Sequence, residues 1–381
     1  MGKVWQFLNG HYESGGQISL FVRDKEGNYD TLYVIDFLPY FFVELNMEIP
    51  DNQNLISIIP NFKSIYGTNL QKLVMRTPTD VGGSLYTKGF ADEFERNFEA
   101  DIKFVERFLI DSGIKDCFEI RGDKKVFTIE DVIPRNDITF PPLKCYLDIE
   151  CNTKNENINP KSPNQKLINW GLRVENNKKF FSALLIEELD KKIEYTQDEK
   201  GILVKVKSEE NMFILLQDCI EKYRPSIIVA WGDYDKKTLT ERARYLGLKD
   251  FNIEKYCWFD LCWAYDHTYS KGSDALKDVV IGEMIADKVV SEEFHWEWWG
   301  KNNDLLVEYN RADIDYMVKL DLEGWEFKDP ESGEKKWHEP YNITDFFWNL
   351  KCFAGTWDMN RLYHGRLVDT CLLRKCFGKV I

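Results

Sequence analysis

The segment Lys144-Cys-Tyr-Leu-Asp-Ile-Glu-Cys151 sets two acids into what otherwise reads as an apolar strand. Side chains alternate along a strand, so Asp148 and Glu150 share one face while Leu147, Ile149 and Cys151 take the other. Two like charges side by side raise each other's pKa unless something positive lies between them, and a hard divalent ion with oxygen ligands answers that need. The plainer reading is an edge strand carrying two solvated acids. Acids are depleted from strand interiors, however, and edges are more often guarded by lysine.

Two further clusters follow. Ser226-Ile-Ile-Val-Ala-Trp231 reads as a buried strand that runs into Gly-Asp-Tyr-Asp, placing Asp233 and Asp235 at the carboxyl end of a sheet strand, where open α/β sheets put ligands. Lys236 to Leu246 then reads as a helix closed by Gly247, with Asp235 at its amino end and Asp233 as a turn residue. A helix cap is the plainer role for Asp235. In the third cluster, 304–322 has helical spacing, with Leu305, Leu306, Tyr309, Ala312, Tyr316, Met317 and Leu320 as most of one face. Tyr309 and Asp313 are then one turn apart and point the same way, so a phenol stands beside a carboxylate. Taken alone, Tyr309 is a core tyrosine; the three clusters together point to a two-metal site.

These clusters resemble the exonuclease motifs of family B DNA polymerases: Asp-x-Glu, an Asp ending the second motif, and Tyr-x-x-x-Asp. The resemblance implies a ribonuclease H-like exonuclease domain in which Asp148, Glu150, Asp235 and Asp313 bind two divalent ions, Mg²⁺ or Mn²⁺, and Tyr309 positions water. The histidine subclass would need His where Glu308 stands. The likeness reaches further, to Leu38-Pro-Tyr-Phe-Phe-Val43, to Glu99 through Gly113 as the helix before the exonuclease domain, and to Leu367 through Arg374 as the entry to a polymerase palm. The second motif departs in one place, with Trp231 where the family usually carries Asn. Archaeal members also sense deaminated bases in an amino-terminal pocket; Pro39 and Tyr40 match its neighbourhood, whereas Gly10-His-Tyr12 departs from it.

The chain ends at Ile381 before any Asp-x-x-Ser-Leu-Tyr-Pro, Lys-rich fingers helix or Asp-Thr-Asp turn, so no nucleotide addition is expected from it alone. The palm, fingers and thumb are expected as a second chain or as a missing part of the same one. With 381 residues and 44% hydrophobic content the chain exceeds one growing core and can bury two. Nine scattered cysteines without a Cys-x-x-Cys pair read as reduced core residues of an intracellular protein, not a zinc site. No long apolar run reads as a signal or span, which points to a soluble, cytoplasmic protein at the nucleoid or replication site, with no membrane partner.

The net charge of -14 argues against duplex binding by this chain, since that leaves a basic footprint. It does not exclude a nuclease whose positive charge comes from metal and whose single-stranded substrate stacks on aromatics. Phe294-His-Trp-Glu-Trp-Trp-Gly300 is such a platform on paper, but clustered Trp reads first as packing.

The expected organisation is α+β overall. Residues 1–140 form a mixed α+β amino-terminal domain with a barrel-like sheet, turning at Gly15-Gly16 and Asp24–Gly27, and with a strongly helical stretch from Ala91 to Leu109. Prolines near Ile133–Pro142 mark the boundary. Residues 141–326 form the ribonuclease H-like 3′-5′ exonuclease domain, with a loop over 152–165 beside the site and a helix from Glu209 to Tyr223. The resemblance places Asp260 outside the ligand set, as a structural residue, and likens Ser273–Val279 to the family's short helix lining the cleft; Lys328–Lys336 reads as a charged hairpin or loop. Residues 327–370 return to the amino-terminal domain, and 371–381 begin the palm, with Thr370 to Val380 as its first helix.

The implied function is proofreading in DNA replication: metal-dependent 3′-5′ hydrolysis of single-stranded or frayed DNA 3′ ends on primer-template DNA. The rival readings are a non-catalytic module that scaffolds a partner polymerase chain and a free-standing repair exonuclease.

Overall fold

A computed structural model describes residues 2–13, 16–154, 159–269, 275–286, 295–356, 358–362, 364–376 and 380. The chain divides into two compact units, residues 1–140 with 349–381, and residues 141–348.

The first unit is built on two sheets. Strands β1 (Val4–Glu13), β2 (Gln17–Arg23) and β3 (Tyr29–Val34) form a meander. Strands β4 (Tyr40–Glu44), β5 (Leu55–Lys63) and β6 (Asn69–Met75) form a separate three-stranded sheet in the order β4-β6-β5. After α1 (Pro78–Gly82) and α2 (Phe104–Asp111), strands β7 (Cys117–Ile120), β8 (Val126–Phe127) and β9 (Val132–Pro134) complete the larger sheet as β8-β3-β2-β1-β7-β9, which curls into a half-barrel. Asp24 makes the β2–β3 turn, accepting from Gly27 and Asn28, while Gly15 lies outside the described residues. Phe7, Leu20, Phe108 and Phe118 lie in the core between that sheet and α2.

The expected helix over 91–109 is corrected. Only Phe90–Glu93, as a 3₁₀ turn, and Phe104–Asp111 are helical. Between them Phe94 is extended, Glu99 takes a left-handed φ of 61°, and Phe98 exchanges two backbone hydrogen bonds with Phe42. Pairing with a strand therefore outweighs helix propensity there.

The second unit holds a seven-stranded sheet. Its strands are β10 (Lys144–Cys151), β11 (Leu167–Val174), β12 (Phe180–Leu185), β13 (Ile193–Gln197), β14 (Gly201–Val206), β15 (Ile227–Ala230) and β16 (Trp258–Asp260), ordered β13-β14-β12-β11-β10-β15-β16. Counting β10, β11, β12, β15 and β16 as first to fifth, the order is third-second-first-fourth-fifth, with only the second antiparallel to its neighbours. That is the ribonuclease H-like arrangement, as expected.

Helix α3 (Glu209–Tyr223) matches its apolar spacing, burying Phe213, Leu216 and Ile220. Helices α4 (Tyr234–Tyr245) and α5 (Leu261–Tyr269) follow β15 and β16, and α6 (Leu276–Gly282) begins just after Ser273 and Asp274, which lie outside the described residues. Helix α7 (Asn303–Val318) continues as a single π-turn over Lys319–Glu323. The charged segment is a hairpin of β17 (Trp325–Lys328) and β18 (Lys335–His338).

The last helices are α8 (Ile343–Ala354) and α9 (His364–Lys375). In the first unit, the buried Lys351 ammonium donates to the Phe7 carbonyl at 3.0 Å and Thr370 donates to Glu106 at 3.0 Å. The expected helix over Thr370–Val380 is corrected. It starts earlier and stops at Lys375, and Val380 lies in a parallel bridge with Ser64 through backbone bonds to Lys63 and Ile65. Among the cysteines, Cys117, Cys145, Cys151 and Cys257 are core residues, but the other five are only half-buried. Among the described residues, no helix is long and apolar enough to cross a membrane.

Candidate metal centre

Strand β10 separates its two faces as its alternation requires: Leu147 and Ile149 are packed away while Asp148 and Glu150 face α7. Asp148 and Glu150 pair with β11 and are half-buried and buried respectively, which removes the reading of two solvated acids. Carboxylate oxygens of Asp148, Glu150 and Asp313 all come within 4.8 Å of one another. Glu150 is buried and the other two are half-buried. Oxygen-only donors at this spacing suit a hard divalent cation.

Asp235 stands in the first turn of α4 and is 4% exposed. It is not one of the three mutually close acids, yet its charge acts on Asp148. Burial first, then repulsion by Asp235, Glu150 and Asp313, holds the Asp148 carboxyl well above the usual range, against one hydrogen bond from Asn310. Asp235 is likewise raised by burial and by Glu150, Asp313 and Asp260. The helix begins two residues earlier than its spacing suggests. Asp233 therefore occupies the cap position, exposed and paired with Lys237, while Asp235 is turned inward and makes no cap.

Tyr309 is half-buried, hydrogen-bonded to Asp313, and packed edge-on to Trp298 with centroids 5.9 Å apart. Burial, with the charges of Asp313, Glu150 and Asp148, pushes its phenol far above the ordinary value, so it stays protonated and can donate. Glu308 is exposed and pairs with Lys200 at 3.4 Å. Asp260 accepts from the Trp263 amide at 2.9 Å at the start of α5. The tryptophans after Phe294, itself outside the described residues, are packing. Trp298 is buried with Leu306 and Val307, and Trp299 donates to the Leu185 carbonyl at 2.7 Å. Trp231 lies 6.2 Å from the Tyr265 ring.

The buried side of α7 is not the one its apolar residues suggest. Leu306, Val307, Asn310, Arg311, Ile314, Met317 and Val318 are buried, whereas Leu305, Tyr309, Ala312 and Tyr316 are half-buried. Two polar residues, Asn310 and Arg311, take core positions because each has a partner there. Arg311 donates to Ser182 at 3.1 Å and to Asp198 at 2.9 Å, and Asn310 donates to Asp148 at 2.6 Å. The sequence reading missed Asn310, and only its place one turn before Ile314 on the buried side would have flagged it.

Further supports tie the site elements together. Tyr146, two residues before Asp148, donates to Asp321 in the π-turn at 2.8 Å. Arg173 on β11 bridges Asp315 at 2.9 Å and Glu323 at 2.5 Å across the same turn. Arg242 on α4 clasps Glu209 through two nitrogens, at 2.6 and 2.7 Å, and reaches the Pro160 carbonyl in the loop that leaves β10. Strand, loop and both helices that carry the acids are thereby locked to one another.

Comparison with known proteins follows the geometry. Residues 95–260 match the family model of the DNA polymerase family B exonuclease domain, a stretch that includes Asp148, Glu150 and Asp235 and ends before Tyr309 and Asp313. The chain is similar to the family B DNA polymerase of the hyperthermophilic archaeon Pyrobaculum calidifontis, at 16% identity and a TM-score of 0.68, over 99% of this chain. It spans about half, 51%, of that polymerase. No curated protein sequence matches it.

Proposed function

We propose that this chain, whose residues 95–260 carry a family B DNA polymerase exonuclease domain, removes nucleotides from single-stranded or frayed DNA 3′ ends as the proofreading part of a polymerase. The observation that supports it most is the convergence of Asp148 and Glu150 from β10 with Asp313 from α7, beside a tyrosine bonded to Asp313. Asp148, Glu150, Asp235 and Asp313 would hold two divalent ions, Mg²⁺ or Mn²⁺. When bound, such ions supply an activated water at neutral pH and stabilise the leaving 3′ oxygen.

The chain's own groups do the rest. Tyr309 keeps its proton and orients the attacking water by hydrogen bonding, with Asp313 fixing the phenol. Trp298, packed edge-on against Tyr309 and buried with Leu306 and Val307, holds the phenol in place. A mispaired end melts into the site more readily than a paired one, so selectivity comes from fraying and not from base reading. Nucleotide addition would belong to a palm, fingers and thumb portion, on a second chain or further along this one. The place of action is the intracellular site of replication.

The test is direct. A 5′-labelled single-stranded DNA incubated with the chain and Mg²⁺ or Mn²⁺ should shorten from its 3′ end. EDTA and the Asp148→Ala/Glu150→Ala variant should each abolish the ladder, a loss of at least about a thousandfold. No ladder with either ion would favour a scaffold role, and a ladder retained in the variant would remove these carboxylates from the chemistry.

A further inference from the structure

Asn310 is fully buried on α7, a position where an apolar side chain would cost nothing to bury, whereas an amide must find partners. It finds one. Its Nδ2 donates to Asp148 Oδ2 at 2.6 Å. A carboxylate only accepts, so this contact fixes which way round the amide lies and turns Asn310 Oδ1 toward strand β11. There Oδ1 has no hydrogen-bond partner among the described residues.

What it meets instead is Gly171, the residue registered directly opposite Asp148 on β11. A Cβ at Gly171 would lie 2.2 Å from Asn310 Oδ1 and 2.6 Å from Ile314 Cδ1. A side chain there would force the Asn310 amide and the Ile314 side chain to move away. A glycine inside a strand weakens it, and a buried amide oxygen without a partner is unfavourable. Both unfavourable features meet where Asn310 of α7 reaches Asp148, and together they permit that contact.

That contact bears on how the acid presents itself. Rotation about the last bond of an aspartate is soft and two-fold, so a free Asp148 would swing its oxygens among several directions. With Oδ2 held by Asn310, Oδ1 is the oxygen left without that donor. We propose that Asn310 is a positioning residue that holds Asp148 to one-oxygen presentation toward a divalent ion, with Gly171 as the space that lets it approach. This rests on the metal-site reading above. Hydrogen-bonding partners of ligating carboxylates contribute to affinity on the scale of ten- to a hundredfold.

The test reads metal binding apart from turnover. Mn²⁺ is titrated into the full chain and free ion is followed by its paramagnetic resonance signal, for the wild type, Asn310→Leu, Asn310→Ala, Gly171→Ala and Asp148→Ala/Glu150→Ala, with circular dichroism confirming the fold of each. Asn310→Leu should weaken Mn²⁺ binding about ten- to a hundredfold. The metal concentration for half-maximal hydrolysis should rise by the same factor, while KM for DNA stays put. Gly171→Ala should reproduce part of that shift with Asn310 intact. Asn310→Ala decides the matter if the leucine variant does not fold. A folded Asn310 variant that binds Mn²⁺ as tightly as the wild type would overturn the role of Asn310 and leave the metal site standing. Wild-type binding no tighter than that of the double variant would overturn the metal site itself.

Discussion

Asp321, which is buried, and Asp148, which is half-buried, are acids of one unit that accept from side chains far along the chain, Tyr146 and Asn310 respectively, and their surroundings are opposite in sign. Asp321 accepts from the Tyr146 hydroxyl at 2.8 Å, the Thr344 amide at 2.8 Å and the Thr344 hydroxyl at 2.5 Å, with the Lys144 charge nearby. Burial still lifts its carboxyl, but every other influence lowers it. Among the described residues Asp148 accepts one hydrogen bond, from Asn310, and the charges of Asp235, Glu150 and Asp313 lift it further. Burial alone therefore does not mark a site. A buried acid met by donors is a fastener, and one met by other acids is a vacancy in charge that a cation fills.

The largest test of this contrast is to remove each acid in turn. Asp321→Ala strands a buried tyrosine hydroxyl and the Thr344 groups, and should cost about 3 kcal/mol, lowering the melting temperature by roughly 10 °C. Asp148→Ala/Glu150→Ala, measured in EDTA, should leave the melting temperature unchanged or raise it, because the variant relieves repulsion. If both proteins melt early to the same degree, the acids of the metal centre are fasteners as well.

A smaller effect is expected in the pH dependence. Because the folded Asp148 and Asp235 carboxyls are raised, the folded protein keeps protons that the unfolded chain releases above about pH 4. Stability from these groups is then present below that pH and falls as pH rises through the raised folded values, by at most about 1.4 kcal/mol per pH unit for each proton. In EDTA, the wild type should lose ground to the Asp148→Ala/Glu150→Ala variant as pH rises, with Asp321 cancelling because both proteins carry it. Saturating Mg²⁺ should reverse the slope, since the ion competes with those protons. A difference curve flat from pH 4 to pH 8 would mean that neither burial nor the neighbouring acids lift Asp148.

Most of what separates the two regions was legible in the chain. Strand period puts Asp148 and Glu150 on one face, and helix period puts Tyr309 beside Asp313, whatever the tertiary structure does. What was not legible depends on partners distant in sequence. Asn310 and Arg311 lie outside the apolar face expected for α7, and their burial follows from Asp148, Ser182 and Asp198 meeting them. The stretch 94–103 scored as helix because its residues favour one, and only the strand contact between Phe98 and Phe42 makes it extended. Asp321, the fastener, carried no local signal at all, since Tyr146 and Thr344 reach it from both sides along the chain.

The second motif gives the smallest expected effect and the sharpest division between neighbours. Asp233 and Asp235 are two residues apart, both acidic, and either could have ended the motif by sequence. In the fold, Asp233 is exposed at the helix start and paired with Lys237, whereas Asp235 is buried and feels Glu150 and Asp313. Asp233→Asn keeps a residue favoured at that position and loses only an exposed i,i+4 pair, about 0.3–0.5 kcal/mol. Its metal-dependent hydrolysis should stay within about twofold of the wild type, and its Mn²⁺ affinity should not move, because the exposed charge is screened. Asp235→Asn keeps the volume and removes a buried charge from the cluster, and hydrolysis should fall by about a hundredfold or more. If the two variants exchange these outcomes, position 233 is the acid that reaches the metal, and the inward turn of α4 at Asp235 is a feature of packing alone.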